Sequence, residues 1–330
     1  MKQQQHVRVA ILLATYNGTR FIEPQIRSLK ENVTEFTVHW LDDHSTDNTR
    51  QVVRAAALKL GIHLREWHQT QHLGVPSVFF RLLECVDSDI YLFCDQDDIW
   101  QPGKIDATVA NLLPDLLSPV LCFSDPLLFK DSEPGVLRRL SDVISDARAP
   151  RALEEARLFM SILAPGHTQG FTRPLRDIFL THKDIARTHG GFGHDGWMHL
   201  IAAAAGTTRM LADVPTTLYR RHGENVSESL FTPKGNRIVW LWQTQQMLRR
   251  AVSRQAEGFV LAQATLPPGP KRERLLALAR LVAPLNQRQS LLAIVRLMLR
   301  GAMWPSKWRT LCFAAVCLCS HAKGIPSHRP

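Results

Sequence analysis

Short apolar runs alternate with amphipathic stretches through the first third of the chain. Residues 7–14 (VRVAILLA) are apolar and β-branched, as a strand buried on both faces of a parallel sheet requires. The run ends in Thr15-Tyr16-Asn17-Gly18, which is turn chemistry. Residues 21–30 carry apolar positions at helical spacing, and 36–41 predict a second strand followed by a loop over 42–47. A helix is predicted over 48–60, a third strand over 63–67, another helix over 78–86 and a strongly buried strand over 89–94 (DIYLFC). Strands and helices alternating at this pitch predict an α/β fold with a doubly wound parallel sheet, whose ligands bind at the carboxyl ends of the strands. Three polar clusters fall at those ends: Thr15-Tyr16-Asn17, Asp42-Asp43 and Asp95-Gln96-Asp97-Asp98. They are expected to share one rim of the sheet.

The pattern changes near Thr232, where acidic residues almost vanish and Arg recurs among Leu, Trp and Ala at helical spacing. Residues 233–330 hold 16 of the 40 Lys+Arg but only Glu257 and Glu273 of the 30 acidic residues, so 24 basic face 28 acidic residues in 1–232. The 330 residues therefore divide into an acidic-leaning body, 1–232, and a basic helical region, 233–330. The body suits a metal-assisted site, and the tail suits phosphates of nucleic acid or anionic lipid. No recognised nucleic-acid motif accompanies it, and carboxylates stand where phosphate-tracking lysines would be wanted, so no nucleic-acid partner is expected. The six cysteines form no CxxC pair, which favours a reducing compartment. Met1 to His6 is polar and leads straight into a strand, so no signal peptide is expected. The apolar run over 311–319 is far short of the ~20 residues that span a bilayer.

Carboxylates clustered at one strand end repel one another unless a cation neutralises them, and hard oxygen ligands suit Mg²⁺ or Mn²⁺. Asp95, Asp97 and Asp98 fit that chemistry, although a solvated acidic turn that caps a helix has the same composition. One carboxylate of Asp42-Asp43 can accept from a pyrimidine N–H while the Ser45 to Thr49 run caps the next helix. Tyr16 can lie against a base, and Asn17 suits the turn.

Together VAILLATYNG, WLDDHSTDNT and LFCDQDDIWQPGKI resemble the nucleotide-sugar-binding half of the family-2 glycosyltransferases, which are inverting enzymes of the GT-A fold. CDQDDIWQPGKI is most similar to the rhamnosyltransferase-like branch, which builds bacterial surface polysaccharide. The resemblance covers about residues 7–227. It includes Gly166-His167-Thr168-Gln169-Gly170, similar to the branch's acceptor-side strand, Gly193-His194-Asp195-Gly196-Trp197, similar to its His-Asp-Trp motif, and Tyr219-Arg220-Arg221-His222, similar to a motif near the donor phosphates. Gly196 departs from the family where a second aromatic is common, and Pro76-Ser77 lacks the usual nearby asparagine.

The resemblance implies a GT-A domain: a Rossmann-like, mostly parallel central sheet flanked by helices, here with a C-terminal basic helical appendage. It implies Asp195 as catalytic base, and Thr15, Tyr16, Asn17, Asp43, Asp95, Asp97, Arg220 and His222 as donor-binding residues. Gly166, Thr168 and Trp197 would meet the acceptor, and Asp97, Asp98 and His222 would hold Mg²⁺ or Mn²⁺. The implied partners are a nucleotide-sugar donor, with dTDP-rhamnose the branch's own, and a glycan or lipid-linked acceptor. A UDP-hexose transferase and a non-catalytic nucleotide-sugar-binding relative are the alternatives, and the oligomeric state stays open. The tail, with Trp304, Trp308, Leu311 and Phe313, is expected to bind an anionic membrane surface, which places the protein in the cytoplasm, peripheral at the inner membrane face.

Overall fold

The computed structural model describes residues 7–133, 135, 137–143, 158–159, 164–214, 216–222 and 237–286. The strands are β1 (Val9–Thr15), β2 (Thr37–Asp42), β3 (Leu64–Trp67), β4 (Ile90–Cys94), β5 (Ile99–Trp100), β6 (Val120–Ser124), β7 (Leu127–Phe129), β8 (Arg138–Arg139), β9 (Gly170–Thr172), β10 (Thr207–Leu211) and β11 (Thr217–Arg220). The helices are α1 (Ile22–Leu29), α2 (Thr49–Leu60), α3 (Ser77–Cys85), α4 (Lys104–Leu112), α5 (Leu140–Val143), α6 (Arg173–Thr181), α7 (Lys183–His189), α8 (Gly193–Ala205), α9 (Arg237–Leu261) and α10 (Pro270–Val282).

The main sheet has seven strands in the order β10-β6-β9-β4-β1-β2-β3. Every pairing is parallel except those of β9, which runs antiparallel between β4 and β6. Alternate residues of each central strand enter opposite cores, as the strand period of two requires. Ala10, Leu12 and Ala14 of β1 join Tyr91 and Phe93 of β4 on the face covered by α3, α6 and α8. Val9, Ile11 and Leu13 join Ile90, Leu92 and Cys94 on the face covered by α1, α2 and α4. Burial on both faces is why these strands read as unbroken apolar runs. Gly170 lets β9 fit beneath α4, since a Cβ there would sit 2.3 Å from Thr108 Cγ2. The fold is thus α/β with a mostly parallel central sheet flanked by helices.

A second, four-stranded sheet (β5-β11-β7-β8) extends from the acidic motif. Leu218 of β11 pairs antiparallel with Ile99 of β5 and parallel with Leu127 of β7. This small sheet delivers Arg220 and the following His222 to the segment that carries Asp97 and Asp98.

Core packing continues past residue 232. Val252, Ala256 and Phe259 of α9, and Leu275, Leu276 and Val282 of α10, belong to the same buried cluster as α3, α6 and α8. Phe259 meets Phe159 edge-on at 5.6 Å, and Lys271 Nζ donates to the Gly206 carbonyl at 3.0 Å. Among the described residues no helix is long and apolar enough to cross a membrane. Trp304, Trp308, Leu311 and Phe313, on which the membrane expectation rests, lie outside the described residues.

Candidate active site

The loops that follow β1, β2 and β4 meet at one rim. Asn17, with φ of 46°, turns the chain after β1 so that its backbone N–H donates to Ser45 Oγ at 2.8 Å. Its Oδ1 accepts the Thr46 N–H, also at 2.8 Å. Gln96 clamps Tyr16 from the β4 side: its Oε1 accepts the Tyr16 N–H at 2.8 Å and its Nε2 donates to the Tyr16 carbonyl at 3.0 Å. The clamp needs Gly18, because a Cβ there would lie 2.3 Å from Gln96 Oε1. Tyr16 is left 46% exposed with its ring against His72 at 4.5 Å, open to a flat ligand.

The adjacent aspartates diverge. Asp42 is a buried anchor. Burial opposes its charge, but hydrogen bonds from Ser45, Arg50 and Thr15 hold its carboxyl below the usual range. Asp43 turns to the loop after β3. Oδ1 accepts from Gln69 Nε2 and from the Leu73 N–H at 2.8 Å, and Oδ2 accepts the Gly74 N–H at 2.7 Å, with His72 Nδ1 3.1 Å away. Three hydrogen bonds and an exposure of 3% thus hold the Asp43 carboxylate against this loop. Asp43 thereby shapes the 69–74 loop beside Tyr16. Thr15 is likewise structural: its buried Oγ1 donates to Asp42 and accepts from Trp40 Nε1, both at 2.9 Å.

In the acidic motif the structure separates residues that the sequence grouped. Asp97 meets His222, whose Nε2 lies 2.9 Å from Asp97 Oδ2 and whose ring stacks on Phe21 at 4.3 Å. Asp98 is wholly buried: Oδ1 accepts the Arg220 N–H at 3.1 Å, and Oδ2 lies 3.5 Å from His167 Nδ1. Asp98 therefore faces the interior rather than sharing a cation with Asp97 and His222. Arg220 departs from expectation too. Its buried guanidinium binds Asp131, donates from Nε to the Asp97 carbonyl at 2.9 Å, and lies between the Phe21 and Phe129 rings. It thereby holds the Asp97 backbone in place. Asp95 is partly buried, and burial, then the charges of Asp97 and Asp195, push its carboxyl up to about 8. Burial, with Asp97 and Asp95, raises Asp98 well above the carboxylate range.

Among the described residues no three His, Cys, Asp or Glu side chains form a complete metal site. The Asp97–His222 pair fits a different requirement, a cation that takes one or two protein ligands and completes its shell with water and phosphate oxygens. Asp95, lifted by burial and then by the neighbouring charge of Asp97, fits the same ion.

Across the rim, Asp195 occupies the first turn of α8, after Gly193 at φ 82°. Oδ2 accepts the Gly166 N–H at 3.0 Å and Oδ1 the Gly196 N–H at 2.9 Å. Burial nevertheless raises its carboxyl to about 6, which suits a proton acceptor near neutral pH. A Cβ on Gly166 would sit 3.0 Å from His194 Nε2, so glycine lets the turn approach α8 without displacing that ring. Two expected acceptor residues are corrected by burial. Trp197 is fully enclosed in the core beneath α8, and the Thr168 hydroxyl is spent on the Pro165 carbonyl at 2.8 Å. Gly166 is buried as well, with its N–H given to Asp195.

Sequence reasoning missed Lys104, Gln169 and Phe21. Lys104 is 1% exposed, and burial draws it down to about 7. A lysine inside LFCDQDDIWQPGKI, at the start of a helix behind four polar residues, was the available signal. Gln169 Nε2 spans the Ala164 and Asp195 carbonyls at 2.6 and 3.0 Å.

The mostly parallel sheet flanked by helices, with this rim at its strand ends, is the GT-A fold of glycosyltransferases. Residues 10–117 match the family described as Glycosyl transferase family 2, and the chain carries a family-2 glycosyltransferase domain of the GT-A fold, similar to rhamnosyltransferases. It is 25% identical over 222 residues to the dTDP-rhamnosyl transferase RfbG of Shigella flexneri, covering 64% of this chain and 72% of that one. Among solved structures it is similar to the mannosyltransferase PcManGT of Pyrobaculum calidifontis in complex with GDP-Man and Mn²⁺, with a TM-score of 0.55, 17% identity and coverage of 97% and 87%. It is also similar to S. aureus TarS 1–349 in complex with UDP-GlcNAc, with a TM-score of 0.52, 14% identity and coverage of 96% and 92%. Likeness at these identities is a likeness of fold.

Proposed function

We propose that this chain transfers a sugar from a nucleoside-diphosphate donor to a hydroxyl of a glycan or lipid-linked acceptor, with inversion at the anomeric carbon. The observation that carries the reading is geometric. One turn touches both sides of the rim: His167 Nδ1 lies 3.5 Å from Asp98 Oδ2 of the acidic motif, and the neighbouring Gly166 N–H donates to Asp195 Oδ2 at 3.0 Å. Tyr16 offers its exposed ring to the nucleobase, and the Asp43-shaped loop flanks it. Asp97 and His222 would hold Mg²⁺ or Mn²⁺, which supplies positive charge against the charge that develops on the leaving diphosphate. Asp195 takes the proton of the acceptor hydroxyl. That oxygen bonds to the anomeric carbon from the face opposite the diphosphate, and the C–O bond to the diphosphate breaks with its electron pair. One displacement inverts the centre and needs no enzyme nucleophile.

Rhamnose from a dTDP donor is the favoured sugar, supported by the similarity to RfbG. The test is a panel of dTDP-rhamnose, UDP-glucose, UDP-galactose, UDP-N-acetylglucosamine and GDP-mannose, each with Mn²⁺, Mg²⁺ or EDTA. Thermal shift and release of nucleoside diphosphate are the readouts. Stabilisation by the dTDP compound that EDTA abolishes is expected. A response confined to UDP or GDP sugars would displace rhamnose, and silence towards every donor would favour a non-catalytic relative.

A further inference from the structure

The donor-side motif and the turn that holds Asp195 are joined through one carbonyl. His167 O accepts Lys104 Nζ at 3.0 Å and Thr217 Oγ1 at 2.8 Å. Lys104 opens α4, directly after the acidic motif, and its ammonium lies 3.3 Å over the Trp100 ring. Thr217 opens β11, the strand that ends in Arg220 and leads to His222. The residue before His167 is Gly166, whose N–H donates to Asp195 Oδ2. The turn itself is closed by the Gln169 N–H to the Gly166 carbonyl at 2.8 Å, so a grip on His167 fixes Gly166 as well. Both grips are wholly or almost wholly buried, with Lys104 at 1% and Thr217 at 0% exposure.

We propose that Lys104 and Thr217 are positioning residues: by gripping the His167 carbonyl from the two elements that frame the Asp97–His222 pair, they set the Gly166–Asp195 contact at the distance and angle that transfer requires. A buried lysine is costly unless it is used. An apolar residue would fill this space without that cost. What the ammonium adds is a directed, charge-assisted hydrogen bond to a turn more than sixty residues away in sequence. The inference rests on the reading of Asp195 as base.

The test compares Lys104→Met with Thr217→Val, which removes only a hydroxyl, and with Asp195→Asn as the reference. Turnover is measured per folded, donor-binding molecule across pH. Lys104→Met should lower kcat about tenfold or more and Thr217→Val about threefold, with donor KM within about twofold, because a misplaced base costs the chemical step rather than binding. The acidic limb of kcat should also move upward by about half a pH unit, since a slackened Gly166 N–H no longer favours the charged carboxylate. Lys104 is itself drawn down to about 7 by burial and its charge acts on Asp95, so the limb is read in Thr217→Val, which leaves every charge in place. His167 and His194, each held by burial near 3, stay neutral over this range. A merely structural role would lower the folded fraction and leave the limb where it was. Normal kcat in both variants and an unmoved limb in Thr217→Val overturn the proposal. If Lys104→Met does not fold, Thr217→Val decides alone. Retained turnover in Asp195→Asn would instead defeat the base assignment, whatever the other two variants do.

Discussion

Asp195 concentrates the residue-scale chemistry. It must be ionised to accept a proton, so kcat is expected to fall as pH drops below about 6, the value to which burial raises it. Its effect on stability has the opposite sense. The folded value lies above the ordinary 3.8, so between about 4 and 6 the folded chain binds more protons than the unfolded one. Its contribution favours folding at the acid end and is lost as pH rises through 6, leaving a carboxylate that opposes folding at neutral pH. Asp195→Asn should cost about 10²- to 10⁴-fold in kcat while nucleotide-sugar binding, read by thermal shift, persists. Gly18→Ala tests the Gln96 clamp. The atom displaced is the tip of a flexible side chain, so the melting temperature should move by no more than about 2 °C. Released from Gln96, Tyr16 should bind donor several-fold more weakly, visible as a raised donor KM with kcat nearly unchanged.

Two linkages at the scale of elements are open to the same approach. The loop over 69–74 has no strand or helix of its own, and Asp43 orders it through the Leu73 and Gly74 N–H groups. Asp43→Asn exchanges one of those acceptors for a donor. About 1–3 kcal/mol of loop order should be lost, read as a roughly tenfold rise in donor KM with kcat within about threefold. The second linkage is α9 against the turn before α8. A Cβ on Gly191 would lie 1.8 Å from the Ala251 carbonyl oxygen, which is backbone and cannot swing aside. Gly191→Ala should push α9 away and break the Phe192 N–H bond to Gln255, lowering the melting temperature by more than about 5 °C. If the variant melts with the parent, α9 is not docked as described.

For the whole molecule, the change in composition near Thr232 marks a change of charge and not the end of the core. Val252, Phe259, Leu266, Leu275, Leu276, Val282 and Leu285 are buried with the body, and each is worth about 1.5–3 kcal/mol. Their sum is comparable with a domain's whole net stability of about 5–15 kcal/mol. A chain ending near Gly235 should therefore aggregate, whereas one ending at Asn286 should stay folded and bind donor. That shorter chain, floated with anionic liposomes beside the full-length protein, tests whether residues 287–330 bind a membrane; equal binding by both would remove that role. The sequence by itself determined β1, β2 and β4, because burial on both faces imposes short apolar runs, but not β9, whose three residues enter the sheet antiparallel between β4 and β6. It also determined which polar clusters lie at the strand ends, because chain order fixes where each strand stops. Only the tertiary structure decided what each carboxylate does there. Asp42 and Asp43, or Asp97 and Asp98, are adjacent in sequence but point to opposite surroundings, and burial separates anchor from ligand. It likewise moved Trp197 into the core and brought Lys104 to His167, contacts set by packing between elements far apart in the chain.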